Sequence, residues 1–283
     1  MAPDANPLSG QIEAFVFDVF GTVVDWLGPV SRDISRRAAN HKVEISGEQA
    51  SDFAKHWRNG YEEETLRLSA PGAEGPWNVD ILHRQILERI LNEERWKPLA
   101  EVWSAEERAE LNLTWHRLDG WPDSSKGLYA LKKRYIISTC SHGSVRLLVD
   151  MAKHTDLPWD LVFSSELVSS YKPYASSPSM SSFHFPDMRT MPPRHAPYHH
   201  ARSRNPKVYS GVAHYLQLPP QKVAMVAAHV DDLRGAAAAG LRTIYVRRGT
   251  EDAGDGIEQR TGYKPGEFDI VVDSLTELAE MFV

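Results

Sequence analysis

Four groups of polar residues in this chain could do chemistry together. Asp18 closes the apolar run Ile12-Glu13-Ala14-Phe15-Val16-Phe17, and Ser141 with His142 follows Arg134-Tyr135-Ile136-Ile137-Ser138-Thr139. Lys172 stands in Ser170-Tyr171-Lys172-Pro173, and His229, Asp231 and Asp232 follow Val223-Ala224-Met225-Val226-Ala227. A carboxylate is a weak nucleophile in water but a useful one when desolvated and held at a reacting carbon. A lysine nearby would keep Asp18 ionised by opposite charge and attract the negative groups of a substrate. Each residue also has a plain structural role open to it. Asp18 could cap the next turn, Ser141 could be a helix N-cap, and Lys172 could be a solvated loop lysine.

The elements needed to bring these groups together can be read from the apolar pattern. Besides the three runs above, Thr243–Val246, Asp269–Val272 and, more weakly, Asp160–Phe163 read as strands. Helical patterns over Gly143–Lys153, Asn205–Gln217, Leu233–Ala239 and Ser274–Phe282 alternate with them. That alternation predicts a parallel sheet covered on both faces. Ligands bind beyond the carboxyl ends of such strands, which is where the four groups lie. Residues 28–118 differ. They carry helical patterns at Ser31–Asn40, Gly47–Leu68, Trp77–Glu94 and Ala105–Leu118, with no strand signal, and read as an inserted helical domain. The predicted division is a core of 11–27 and 119–283 with a cap of 28–118; Trp121-Pro122-Asp123 marks the return to the core.

Composition narrows the function classes. The 283 residues carry 32 Lys+Arg and 38 Asp+Glu, a net charge of −6, which disfavours nucleic-acid and membrane-surface partners. No apolar run approaches the roughly 18 residues of a membrane span. The first ten residues lack a basic stretch followed by an apolar one, so no secretory leader is expected and the expected location is cytoplasmic. The single Cys140 excludes an internal disulfide framework and any multi-cysteine metal site.

The order of the groups resembles the haloacid dehalogenase (HAD) superfamily of hydrolases across nearly the whole chain. Phe17-Asp18-Val19-Phe20-Gly21-Thr22 is similar to its nucleophile motif and Ser138-Thr139-Cys140-Ser141-His142-Gly143 to its second. Tyr171-Lys172-Pro173 is similar to the third and His229-Val230-Asp231-Asp232 to the fourth. The resemblance implies an α/β fold, a Rossmann-like core under a helical cap. In it Asp18 is the catalytic nucleophile, Lys172 its cationic partner, and Asp232 the residue that orients Lys172 and helps deliver the water that cleaves an ester intermediate. Superfamily phosphatases carry an acid two residues after the nucleophile and another four before the last motif's Asp. Here those positions are Phe20 and Ala228, which disfavours a Mg-dependent phosphatase acting on a small phosphate ester.

The (S)-2-haloacid dehalogenase branch is metal-free and needs no cofactor, and the chain resembles it. The branch has an aromatic residue at the Phe20 position and a cap arginine that receives the halide, matched by Arg58 in His56-Trp57-Arg58. A guanidinium suits that task, being always charged and weakly hydrated; by itself Arg58 could equally be an exposed helix arginine. The expected substrate is a small carboxylic acid, with Phe20, Arg58, Ser141, His142, Tyr209 and His229 around it. Homodimerisation is implied by the family alone. His142 replaces an Asn of the bacterial enzymes, Ala227 and His229 replace a Ser and an Asn, and Phe20 lacks the usual Tyr hydroxyl. Ala227-Ala228-His229 resembles a fungal subgroup. A catalytically impaired relative is the remaining alternative.

Residues 174–204 fit neither domain. They hold six Ser, five Pro, four His and one acidic residue without periodicity, and read as a disordered insertion. Their removal would join Tyr171-Lys172-Pro173 to Asn205-Pro206-Lys207-Val208-Tyr209 and restore the family spacing. A translated retained intron or gene-model error explains this, and a genuine lineage-specific loop is the rival.

Overall fold

The computed structural model describes residues 6–70, 73–172, 206–252 and 264–283; the insertion expected at 174–204 lies outside them. A five-stranded sheet forms the core, built from β1 (Ala14–Phe17), β4 (Ile136–Thr139), β5 (Val223–Ala227), β6 (Arg242–Val246) and β7 (Ile270–Val272). All neighbours are parallel, in the order β4-β1-β5-β6-β7. Side chains alternate between faces along a strand. Phe15, Phe17, Ala224, Val226, Ile244 and Val246 enter one apolar cluster, while Val16, Met225, Ala227 and Tyr245 enter another on the opposite face. Both faces are therefore covered, which explains why the strands read as continuous apolar runs rather than alternating ones.

The first cluster packs against α6 (Ser124–Lys132), α7 (Val145–His154) and α10 (Leu275–Phe282). The second packs against α8 (Lys207–Leu216) and α9 (Val230–Ala238). Between β1 and β4 the chain forms a helical layer of α1 (Leu27–Asn40), α2 (Gly47–Leu68), α3 (Val79–Leu91), α4 (Lys97–Val102) and α5 (Ala105–Asn112). Reciprocal capping boxes, Ser46 with Gln49 and Ser104 with Glu107, start α2 and α5. The chain leaves the sheet at β2 (Val24–Asp25) and returns at β3 (Asp119–Gly120), and these two segments pair antiparallel. The helical layer shares the first apolar cluster with the sheet through Phe53, Trp57, Trp96, Trp103 and Trp115.

Several elements differ from the sequence-based expectation. The strand expected at Asp160–Phe163 does not form; Leu161 makes only an isolated bridge to Ser138. The segment's backbone bonds to β4 are confined to the Asp160 and Leu161 amides on Ile137 O and the Thr139 amide on Leu161 O. On either side of them side chains take over, with the Asp160 carboxylate accepting from Ile137 N and the Thr139 hydroxyl donating to the Phe163 carbonyl. Helix α1 begins at Leu27 rather than Ser31 because Asp25 accepts from the Leu27 and Gly28 amides. Helix α9 starts directly after His229, which places Asp231 and Asp232 in its first turn, where the helix dipole favours carboxylates. Ser141 is not an N-cap: Ser144 caps α7 by accepting from Leu147 N.

Candidate active site

The site is assembled at the carboxyl ends of β1, β4 and β5. Because β1 lies between β4 and β5, the residue after it emerges flanked by the ends of both, and that residue is Asp18. Its amide continues the ladder by donating to Val226 O, and the residue is 8% exposed. Lys172 Nζ donates to Asp18 Oδ1 at 3.0 Å and to Asp232 Oδ2 at 2.6 Å. Tyr209 OH donates to Asp232 Oδ1 at 2.6 Å. The Thr22 hydroxyl donates to Asp18 Oδ2 at 2.8 Å while accepting from Ala228 N at 2.9 Å, which pins the carboxylate to the end of β5. His229 Nδ1 lies 3.1 Å from the same Oδ2, and its Nε2 lies 3.0 Å from Glu251 Oε2.

The electrostatics follow from these partners. Burial by itself would raise the Asp18 carboxyl, but the Lys172 ammonium, His229 and Thr22 outweigh it and hold the group well below the usual carboxylate range. Burial would likewise lower Lys172, yet Asp18 and Asp232 raise it above an ordinary lysine. Asp232 is pushed up by burial and by the Asp18 charge against the pull of Lys172 and Tyr209. His229 is held well above its ordinary value because Asp18 and Glu251 outweigh its desolvation. At neutral pH the centre is thus an ionised Asp18 between an ammonium and an imidazolium.

His142 behaves in the opposite way. Burial, and then Lys172, depress its titration well below the ordinary value, so the ring is neutral. Its Nε2 accepts the Lys172 amide proton at 2.7 Å, so the ring proton is on Nδ1 and is donated to the Tyr61 hydroxyl at 3.0 Å. His142 therefore fixes the backbone that carries Lys172 and ties it to α2. Ser141 is fully buried beside it and accepts from Gly143 N at 3.3 Å.

Arg58 reaches the site from α2. Only 5% exposed, it pairs with Glu62 (Nε to Oε1, 3.0 Å), and its guanidinium faces the rings of Tyr61, Trp26 and Phe20 at 5.0, 5.8 and 5.9 Å. Arg58 also helps lower Glu251 and His142, which places its charge within the field of the Asp18 centre. A buried cation walled by aromatic faces is a suitable receptor for a weakly hydrated anion.

All nine residues singled out from the sequence are buried or half-buried here, and Asp18, Lys172, Asp232, Tyr209, His229 and His142 form one hydrogen-bonded chain. Thr22, Trp26, Tyr61 and Glu251 were not singled out. Thr22 lay in plain view within the nucleophile motif. Glu251 had one available signal, its place just past the carboxyl end of β6, in line with the other strand ends. Its carboxylate accepts from Trp26 Nε1 at 2.8 Å and occupies the space beside Gly21 where a side chain would otherwise begin.

A buried carboxylate stands at the end of the first strand of a parallel sheet, and a lysine bridges it to a second carboxylate, an arrangement suited to a hydrolase. The family model of haloacid dehalogenase-like hydrolases matches residues 12–240, and the chain belongs to that family. Among solved structures it is similar to a defluorinating L-2-haloacid dehalogenase, at 32% identity over 99% of both chains with a TM-score of 0.78. A second L-2-haloacid dehalogenase is 29% identical over 95% of this chain and 98% of its own, with a TM-score of 0.72. The L-2-haloacid dehalogenase of Xanthobacter autotrophicus with chloropropionic acid covalently bound shares the fold, at 18% identity over 95% and 98% of the chains and a TM-score of 0.68. No curated protein matches the chain. No helix among the described residues is long and apolar enough to cross a membrane.

Proposed function

We propose that this protein hydrolyses the carbon–halogen bond of a small 2-haloacid, through an aspartyl ester on Asp18, to give the 2-hydroxy acid. The observation that carries the reading is the Asp18 carboxylate, buried yet kept ionised by Lys172, with the Arg58 guanidinium and its aromatic walls nearby. Asp18 attacks C2 as the halide leaves on the far side. Arg58 receives the halide, whose weak hydration matches a guanidinium. Ser141 and Lys172 hold the substrate carboxylate, with His142 keeping the Lys172 segment in place. Asp232, fixed by Tyr209, keeps Lys172 charged and oriented. Residues 28–118 serve as the cap that excludes water from the first step, which strengthens each of these interactions.

The Mg-dependent phosphatase reading has no observation in its favour. Phe20 and Ala228 stand where the additional acids would be, and the oxygens of Asp18 are engaged by Lys172, Thr22 and His229. The test is halide release from (S)-2-chloropropionate and (S)-2-fluoropropionate in the presence of EDTA. Asp18→Asn should remove release entirely while the protein still folds. Wild-type silence on both acids, or an active Asp18→Asn variant, would overturn the proposal.

A further inference from the structure

Cleaving the ester requires a base for water, and Asp232 is badly placed to be one. Both of its oxygens already accept 2.6 Å hydrogen bonds, from Lys172 and Tyr209, and Lys172 stands between it and Asp18. The other flank of Asp18 is different. There His229 presents Nδ1 at 3.1 Å from Asp18 Oδ2, one bond from the carbon that water must attack. Its far nitrogen is 3.0 Å from Glu251, whose other oxygen is held by Trp26 Nε1. Three separate chain segments thus place a carboxylate, an imidazole and a second carboxylate in line.

We propose that Asp18, His229 and Glu251 form a nucleophile–base–acid relay, in which His229 activates the water that hydrolyses the Asp18 ester and Glu251 orients the imidazole. The proposal rests on the dehalogenase reading above and adds to it the identity of the hydrolytic base and a timing for its action. The charged groups facing His229 are Asp18 from the end of β1 and Glu251 from beyond β6. Lys172 lies across Asp18, Arg58 reaches over from α2, and the neutral His142 is close by. In the resting enzyme the two carboxylates hold His229 as an imidazolium, which cannot accept a proton. Alkylation of Asp18 abolishes one of those two charges and leaves Lys172 paired with Asp232 alone, so the imidazolium loses part of its stabilisation once the ester exists.

The steps balance. Asp18 forms the C–O bond, the C–X bond breaks, and halide leaves; the imidazolium then gives one proton to solvent. Neutral His229 takes a proton from water as the oxygen adds to the ester carbonyl carbon. The tetrahedral species collapses to the Asp18 carboxylic acid and an alkoxide, and the acid's proton passes to the alkoxide. The result is hydroxy acid, halide and one proton, with Asp18 ionised and His229 protonated as at the start.

The test uses His229→Gln and Glu251→Gln in the full chain, with rapid-quench halide assays and intact-protein mass spectrometry on (S)-2-chloropropionate. His229→Gln should release one equivalent of halide per site and then stall, carrying the mass of the alkyl ester, with steady turnover down roughly 10²–10⁴-fold. Glu251→Gln should keep the burst, accumulate less ester, and move the acid limb of the turnover profile to lower pH, because removing an anion makes His229 easier to deprotonate. Wild-type halide release with no trapped ester in His229→Gln would overturn the relay alone, as would an unchanged pH profile in Glu251→Gln. Absence of halide release from the wild type would overturn the dehalogenase reading and the relay with it. Should His229→Gln fail to fold, the Glu251→Gln profile decides the matter by itself.

Discussion

Replacing Lys172 by methionine should be costly in stability, and the cost should be relieved by a second substitution that leaves the enzyme dead. Lys172 is 2% exposed and touches two carboxylates, at 3.0 Å and 2.6 Å. At an effective dielectric constant of about 20, each such contact attracts by on the order of 4 kcal/mol. Much of that attraction offsets desolvation, so the quantity measured is the penalty of leaving Asp18 and Asp232 buried and facing one another, about 3–5 kcal/mol. Adding Asp232→Asn removes one of the opposed charges, and the double variant should regain on the order of 1–3 kcal/mol relative to the summed single losses. The penalty also has a predictable pH dependence. Without Lys172 the native carboxylates titrate above their unfolded values, so the folded state binds more protons and stability rises as pH falls. The deficit of Lys172→Met should therefore narrow between pH 7.5 and pH 5. Urea unfolding of the four proteins of the cycle at both pH values measures this. Additive losses with a deficit independent of pH would refute the placement of one ammonium between two ionised carboxylates.

Two further substitutions probe the surroundings of that centre. Gly21 has φ +79°, and a Cβ there would collide with the Glu251 carboxylate, so Gly21→Ala should cost roughly 1–2 kcal/mol from the left-handed backbone. By displacing the Glu251 carboxylate it should also move the acid limb of the turnover profile in the same direction as Glu251→Gln; a Gly21→Ala variant with a wild-type profile would show that Glu251 does not act on His229. His83 is 1% exposed between Trp115 and Tyr61, with neither ring nitrogen hydrogen-bonded among the described residues, and burial lowers its titration to about 3. Its folded value lies below its unfolded one, so stability is lost as pH falls from about 6.5 toward 3. His83→Phe should be about 2 kcal/mol less acid-sensitive than wild type between pH 7.5 and pH 5 by urea midpoint, at about 1.4 kcal/mol per pH unit.

Much of the architecture is legible in local pattern. The five strands announce themselves because a parallel sheet covered on both faces leaves few polar positions, and the helical layer announces itself through caps such as Ser46 and Ser104. Helices α4 and α6 leave little trace in the sequence, since each is short and α6 exposes Tyr129. The segment at Asp160–Phe163 has a strand's composition, yet Asp160 and Thr139 divert its hydrogen bonds. Competition between a side chain and the ladder for the same amide depends on register, and register is a property of the assembled sheet.

For the site, the linear pattern is enough to pick out Asp18, Lys172 and Asp232, which the fold brings together, and to show that positions 20 and 228 carry no acid. Those depend on residue type at strand ends, which a linear pattern carries. The charge each group carries follows from its neighbours in the folded chain. His142 is buried and His229 half-buried, both just after parallel strands, and nothing in the local sequence tells their charges apart. The first meets a backbone amide and a lysine and is neutral; the second meets Asp18 and Glu251, one of them 211 and the other 22 residues away, and is an imidazolium. A protonation state is set by the sum of fields from groups within a few ångströms, and in this protein those groups come from five separate segments of the chain.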